Sequence, residues 1–310
     1  MKKFIKFFKP VTAVMLLGVF VFASCENEDD KEPMEEMKSI VEIASSDNNF
    51  STLVAALTKA NLVSALQANG PFTVFAPTNE AFADLLADLG VSSLDDLSAE
   101  ALTPILLYHV VSGKVLSTDL TNGYVNTLSS GPEQTAISLQ VNADEVILNG
   151  SSEITSADIL ATNGVIHVID KVLLPPTVVN LAINNPQFSI LVQAVLKAEL
   201  AETLSGAGPF TVFAPTNAAF EELFTALGVS GIADLTKEQL APILLYHVVS
   251  GNVESSELSS GNVATLNGDI AVNLGASVTI NGSSVVVLTD VQGSNGIVHV
   301  IDEVLLPPSK

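Results

Sequence analysis

The sequence predicts an α+β chain of two tandem domains, and three observations carry that prediction. The ten residues GPFTVFAPTN at 70–79 recur unchanged at 208–217, and PILLYHVVSG at 104–113 recurs at 242–251. Within each copy helical periodicity fills the first half and strand alternation the second, a segregation typical of α+β rather than of alternating β/α/β units. The 310 residues are 48% hydrophobic and only 15% charged, which suits packed cores in a chain of this length.

In chain order, Lys2, Lys3, Lys6 and Lys9 precede the apolar run VTAVMLLGVFVFA. That run is shorter than the roughly 20 residues a membrane-spanning helix needs, so residues 1–24 read as an export leader. The small residues Ala23 and Ser24 then precede Cys25, the single cysteine. FASC resembles the lipobox of bacterial lipoproteins, with Phe22 where Leu is usual. The resemblance implies cleavage before Cys25 and a lipid anchor on its thiol, which would place the protein in the cell envelope at the outer membrane, with exposure on its surface left to the segment that follows. With Cys25 consumed, no disulfide is available to either domain. Residues 25–37 read as an acidic tether, either a solvated spacer or a signal of the kind that routes some Gram-negative lipoproteins to the cell surface. From residue 25 onward eight Lys face thirty-four acidic residues, and no Arg occurs anywhere. Such a balance excludes nucleic acid and anionic headgroups as partners, because their phosphates must be neutralised by basic side chains.

The repeat defines domain one as 38–176 and domain two as 177–310. An offset of 138 aligns 40–128 with 178–266 without gaps. The offset then drops to 132, because SSGPEQTAISLQVNADEVILNGSS shortens to NGDIAVNLGASVTINGSS, and it is expected to hold to the end. Length changes of this kind belong in surface turns. At the junction LLPP (173–176) runs straight into TVVNLAINNP, so few residues separate the domains.

The elements follow from the same text. Phe50, Leu53, Val54, Leu57 and Ala60 recur at helical spacing, predicting one amphipathic helix over 50–66. FTVFAP is a β-prone run closed by proline. Thr78-Asn79 supplies N-cap chemistry for the next helix, which Gly90 ends. Thr236 and Gln239 have capping-box spacing, while Pro104 and Pro242 imply a late start or a kink in the helix of PILLYHVV. Ile137, Leu139 and Val141 alternate with polar residues as a half-buried strand does, and Asn163-Gly164 between apolar runs marks a hairpin.

The ordered set TVFAPTNEAF, LLYHVVSG and NGVIHVIDKVLLPP, present in both copies, resembles the fasciclin domain. That resemblance covers residues 38–310. It implies a β-sandwich-like wedge with a packed helical layer, and a role in cell adhesion and matrix association.

Tyr108-His109 and Tyr246-His247 resemble a Tyr-His motif implicated in ligand binding by some animal fasciclin domains. On the helix, however, His109 shares a face with Leu102, Ile105 and Leu106, which points to packing. In VIHVID, alternation sets His167 with Val165 and Ile169 and turns Asp170 to the other face, so the two form no local His-Asp dyad. A core histidine bonded to backbone is the reading of His167 and His299.

No cofactor or metal is expected, since zinc requires three or four converging ligands and each copy has two His. Asp95-Asp96 and Glu221-Glu222 read as solvated acids, and phosphate-loop, dinucleotide and nucleophile-elbow motifs are missing. The expected function is noncovalent binding of an extracellular or cell-surface protein, matrix or glycan, on the divergent loops 129–152 and 267–284. The alternative is an envelope enzyme or accessory subunit for a small ligand or glycan, which a cleft with convergent His and carboxylate groups, present in one copy and lost in the other, would favour.

Overall fold

The computed structural model describes residues 37–308; the leader, Cys25 and the tether up to residue 36 lie outside the described residues. Copy one opens with helices α1 (Ile40–Ser46), α2 (Ser51–Lys59) and α3 (Val63–Leu66), followed by strand β1 (Phe72–Pro77) and helices α4 (Asn79–Asp88) and α5 (Ala99–Tyr108). Strands complete it: β2 (Val110–Ser112), β3 (Gly123–Ser130), β4 (Ala136–Asn142), β5 (Ile147–Leu148), β6 (Ser152–Ala161) and β7 (Gly164–Ile169). Copy two repeats the order with α6 (Val178–Asn184), α7 (Ser189–Lys197), α8 (Ala201–Ser205), β8 (Phe210–Pro215), α9 (Asn217–Leu227) and α10 (Lys237–Tyr246). Its strands are β9 (Val248–Ser250), β10 (Gly261–Thr265), β11 (Gly268–Leu274), β12 (Val278–Ile280), β13 (Ser284–Gly293) and β14 (Gly296–Ile301).

Two helical expectations change. The single helix over 50–66 is broken because Asn61 takes φ 57. Leu62 N–H reaches back to Leu57 O at 2.9 Å and Asn61 N–H to Thr58 O at 3.1 Å, the paired bonds of a Schellman motif. Glu199 makes the same left-handed turn in copy two, where the apolar spacing likewise runs on across the break. Periodicity reports which face is buried, not where the backbone reverses. The second change concerns Pro104: α5 starts on time at Ala99, fixed by the Ser98 hydroxyl accepting from Ala101 N–H, and carries the proline internally. Thr236 and Gln239 close the expected capping box on α10, which carries Pro242 the same way.

In copy one the seven strands close into a ring, β1 pairing antiparallel with β2 and parallel with β7. Alternation splits the side chains between two cores. Phe75, Ile137, Leu139, Val141, Leu148 and Ile169 fill the inside of the sheet, while Val74, Ala76, Ile166 and Val168 face a helical layer led by Phe50, Leu53, Phe82, Leu102 and Leu106. β1 and β7 are therefore buried on both faces, which explains their continuous apolar run. Copy two has the same layers, but its shorter β10 makes no strand pairing with β9, and the order runs β10-β11-β12-β13-β14-β8-β9. One backbone bond, Leu266 N–H to Val248 O at 2.8 Å, stands where copy one closes its ring.

The strand register also corrects the repeat alignment. Val141 pairs with Leu148 as Val272 pairs with Ile280, and Gly123 faces Val141 as Gly261 faces Val272. Residues 139 and 141 thus correspond to 270 and 272, an offset of 131 through β4, before 132 resumes at β5. The loss is in the β3–β4 bend, and one residue is regained in the next turn. An offset of 132 would have set the buried Leu139 against Ala271 and turned β11 inside out, because one step of register flips every side chain.

Candidate functional site

Tyr108 and His109 form a latch at the end of α5. His109 is 2% exposed; its Nδ1 lies 2.7 Å from Ile105 O, and Leu173 N–H donates to its Nε2 at 2.9 Å. This pattern fixes a neutral imidazole protonated at Nδ1, which joins the helix end to the last segment of the copy. Burial pushes the pKa of His109 and of His247 down to about 4. Tyr108 donates to Ser138 O at 2.9 Å and meets the Asn149 amide, itself in a left-handed turn. Copy two repeats each bond: His247 joins Ile243 O and Leu305 N–H, and Tyr246 joins Asp269 O and Asn281.

His167 and His299 are fully buried in β7 and β14, His167 stacked on Phe75 and His299 tilted against Phe213, each with ring centroids 5.6 Å apart. Their Nε2 atoms lie 2.9 Å from Val115 O and Val253 O, and their Nδ1 atoms accept from the Asp158 and Asp290 N–H groups. The four histidines thus have both ring nitrogens committed to backbone. Among the described residues no cluster of His, Cys, Asp or Glu can hold a metal ion. Asp96 caps Ser92 and Ser93 N–H groups, Asp95 sits 3.7 Å from Lys59, and Glu221 and Glu222 face solvent.

Several repeated letters have duties that spacing does not reveal. Thr78 and Thr216 are the expected N-caps, but Asn79 Oδ1 accepts from Thr52 N–H at 2.9 Å and so caps a different helix, α2; Asn217 does the same for Ile190. The Asn163-Gly164 hairpin exists, yet its turn is Thr162-Asn163. Asn163 bridges Ile40 N–H and Leu66 O, tying α1 and α3 to the sheet, and a Cβ on Gly164 would lie 2.0 Å from Phe72 O.

The two copies form one compact unit through an asymmetric contact. Gln292, fully buried on β13, donates its N–H to Ser138 Oγ at 3.0 Å and locks its side-chain amide against Asn252. Tyr124 leaves copy one to pack on the helical core of copy two, its hydroxyl accepting from Asn185 Nδ2 at 3.1 Å. Thr135 adds a 2.6 Å bond to Glu254, and Gly131 approaches so closely that a Cβ would lie 2.6 Å from Gly293 O.

Beside this contact opens a cleft of about 670 Å³. One wall is the outer face of the β3–β4 pair, where Tyr124 lies across from Gln140 and Asn126 across from Ser138. The other wall is Asn185-Pro186-Gln187 with 288–291 of β13. Gln140 Oε1 is buried there without a protein donor. The register of copy two puts Asn262, Ala271, Ala264 and Asp269 in place of Tyr124, Gln140, Asn126 and Ser138, so its own hairpin lacks this face. The sequence pointed to 129–152 as divergent, and Ser138, Gln140, Asn142 and Asp144 in the cleft come from it; residues 267–284 contribute nothing to the lining.

Comparison with known protein families agrees with the two tandem copies. The Fasciclin domain pattern matches residues 48–175 and again 186–307. Protein sll1483 of Synechocystis sp. is 49% identical over 138 residues, covering 44% of this chain and 74% of that protein. Transforming growth factor-beta-induced protein ig-h3 of Sus scrofa is 32% identical over 79% of this chain and 36% of its own length, and human periostin is 30% identical over 89% and 34%. The chain thus spans about a third of these animal relatives. A solved FAS1 domain pair from the insect cell adhesion molecule Fasciclin I covers 86% of this chain and 96% of its own at 19% identity and a TM-score of 0.44. Matched in both copies, the chain belongs to the fasciclin-domain family, of which it carries two members in tandem.

Proposed function

We propose that the protein is a lipid-anchored binding module of the cell envelope, held by Cys25 and presenting its tandem to an extracellular protein, matrix or glycan. Fasciclin domains are associated with cell adhesion, and both copies belong to that family. The observation that carries the reading is the internal commitment of the histidines. The Tyr-His pairs and the buried His167 and His299 are used by the fold, so their role is structural, and recognition falls to the surfaces in which the copies differ. The same fact supports a noncovalent mechanism, since it removes the four histidines as general bases, which must be free to reach a substrate proton.

Attachment of the purified protein to cells and to matrix-coated surfaces tests this reading, with an unrelated acidic protein as control. Attachment no better than the control sinks it. Protease accessibility on intact cells, compared with Cys25→Ala, tests the anchor. The wild type is expected in the membrane fraction and cleavable from outside, the variant in neither state.

A further inference from the structure

The cleft between the domains offers chemistry that the scaffold does not use. Its hairpin wall is a ladder of neutral groups, with Asn126 and Gln140 making no hydrogen bond through their side chains to other described residues and Gln140 Oε1 buried without a donor. Ser138, on the same strand as Gln140, is buried and spent on the joint, its Oγ accepting from Gln292 N–H. Gln187 and Thr289 face these groups from copy two. An amide presents a donor and an acceptor side by side, the pattern that matches a vicinal diol. A buried acceptor left unpaired is unfavourable, and rotation of the half-buried Gln140 amide toward the cleft lets a ligand hydroxyl satisfy it. The lining contains no Lys, while Asp144 and Asp290 give it negative charge. Phosphate, sulfate and uronate groups are therefore repelled. The volume of about 670 Å³ falls among small-ligand sites.

We infer that this cleft binds a neutral saccharide, with Gln140 and Asn126 reading hydroxyls from one wall and Gln187 and Thr289 from the other. The inference rests on the reading of the protein as an extracellular binding module and names the ligand class of one site. None of the named groups lies in a repeated motif, and the site exists only because the domains meet as they do.

Calorimetric titration of the full-length protein with maltohexaose, cellohexaose, xylohexaose and mannohexaose, and with hexagalacturonate as the acidic counterpart, tests it. At least one neutral probe is expected to bind and hexagalacturonate not to. Gln140→Ala combined with Asn126→Ala is expected to weaken binding by about tenfold or more at unchanged melting temperature. If the pair disturbs folding, the exposed Gln187→Ala on the opposite wall serves instead, with a loss of several-fold. Failure of all four neutral probes, equal binding of hexagalacturonate, or affinity untouched by these variants overturns the inference. Attachment assays on the same preparations separate the two readings. Attachment retained by the double variant, with no saccharide bound by the wild type, removes the cleft and keeps the adhesive role; saccharide binding without attachment does the reverse.

Discussion

Replacing His247 with glutamine tests whether the Tyr-His pair serves the fold. The imidazole is 2% exposed and holds two backbone groups at once, Ile243 O at 2.8 Å and Leu305 N–H at 2.9 Å. A glutamine amide has its donor and acceptor at one end and cannot reach both. One buried backbone group is left unpaired, at about 1–3 kcal/mol, and the lost ring contacts add about 1 kcal/mol. The expected loss is therefore about 3 kcal/mol. For a domain of this size that lowers the melting temperature by roughly 10 °C. The chain has three Tyr and no Trp, so tyrosine fluorescence reports on Tyr246 beside the mutated ring. Unfolding should be followed in urea and by heat at pH 7. A shift below about 1 kcal/mol, with binding to cells abolished, would refute the structural assignment and make the pair a recognition element.

Four further outcomes follow from the same geometry. His109 and His247 titrate near 6.5 unfolded and at about 4 folded, so between those values the unfolded chain binds more protons. Stability is full above about pH 6.5 and falls as pH drops toward 4, by about 3 kcal/mol per site; His109→Gln combined with His247→Gln should flatten that part of the urea midpoint profile. Tyr124→Ala should uncouple the domains and split a single unfolding transition into two, read by calorimetry. Gly131→Ala adds only a methyl, but 2.6 Å from Gly293 O, and should uncouple them likewise while each domain keeps its own stability. Asn79→Ala should cost about 1 kcal/mol through the lost α2 cap, seen as faster amide exchange at Thr52.

Much of this architecture was legible because duplication exposes it. Identical segments marked the domains, periodicity marked the segregated layers, and Thr78, Gly90 and Thr236 marked helix ends through local chemistry that needs no tertiary partner. What stayed hidden depends on distance. Asn79 caps a helix about thirty residues upstream, and Asn163 ties down α1 from the far end of its copy; neither bond has a spacing to read. The one-residue register change in β4 was invisible because gaps were placed by letters, whereas the strand is fixed by which side chains meet the core. The cleft escaped for the same reason: its two walls come from different copies, and the divergence of 129–152 showed where to look without showing what would face it.

The contact between the copies has an additional consequence. It is head-to-tail, the β3–β4 face of one domain on the β13 edge of the next, and such contacts can in principle propagate without end. Here both unused faces are incompatible with another round. Copy two has Asn262 and Asp269 where the joint needs Tyr124 and Ser138. At the other end copy one has Leu160, half exposed, where the joint needs the amide of Gln292. Divergence after duplication has made the assembly self-limiting, so that neighbouring molecules lack the faces to polymerise through the joint that unites the two halves of each.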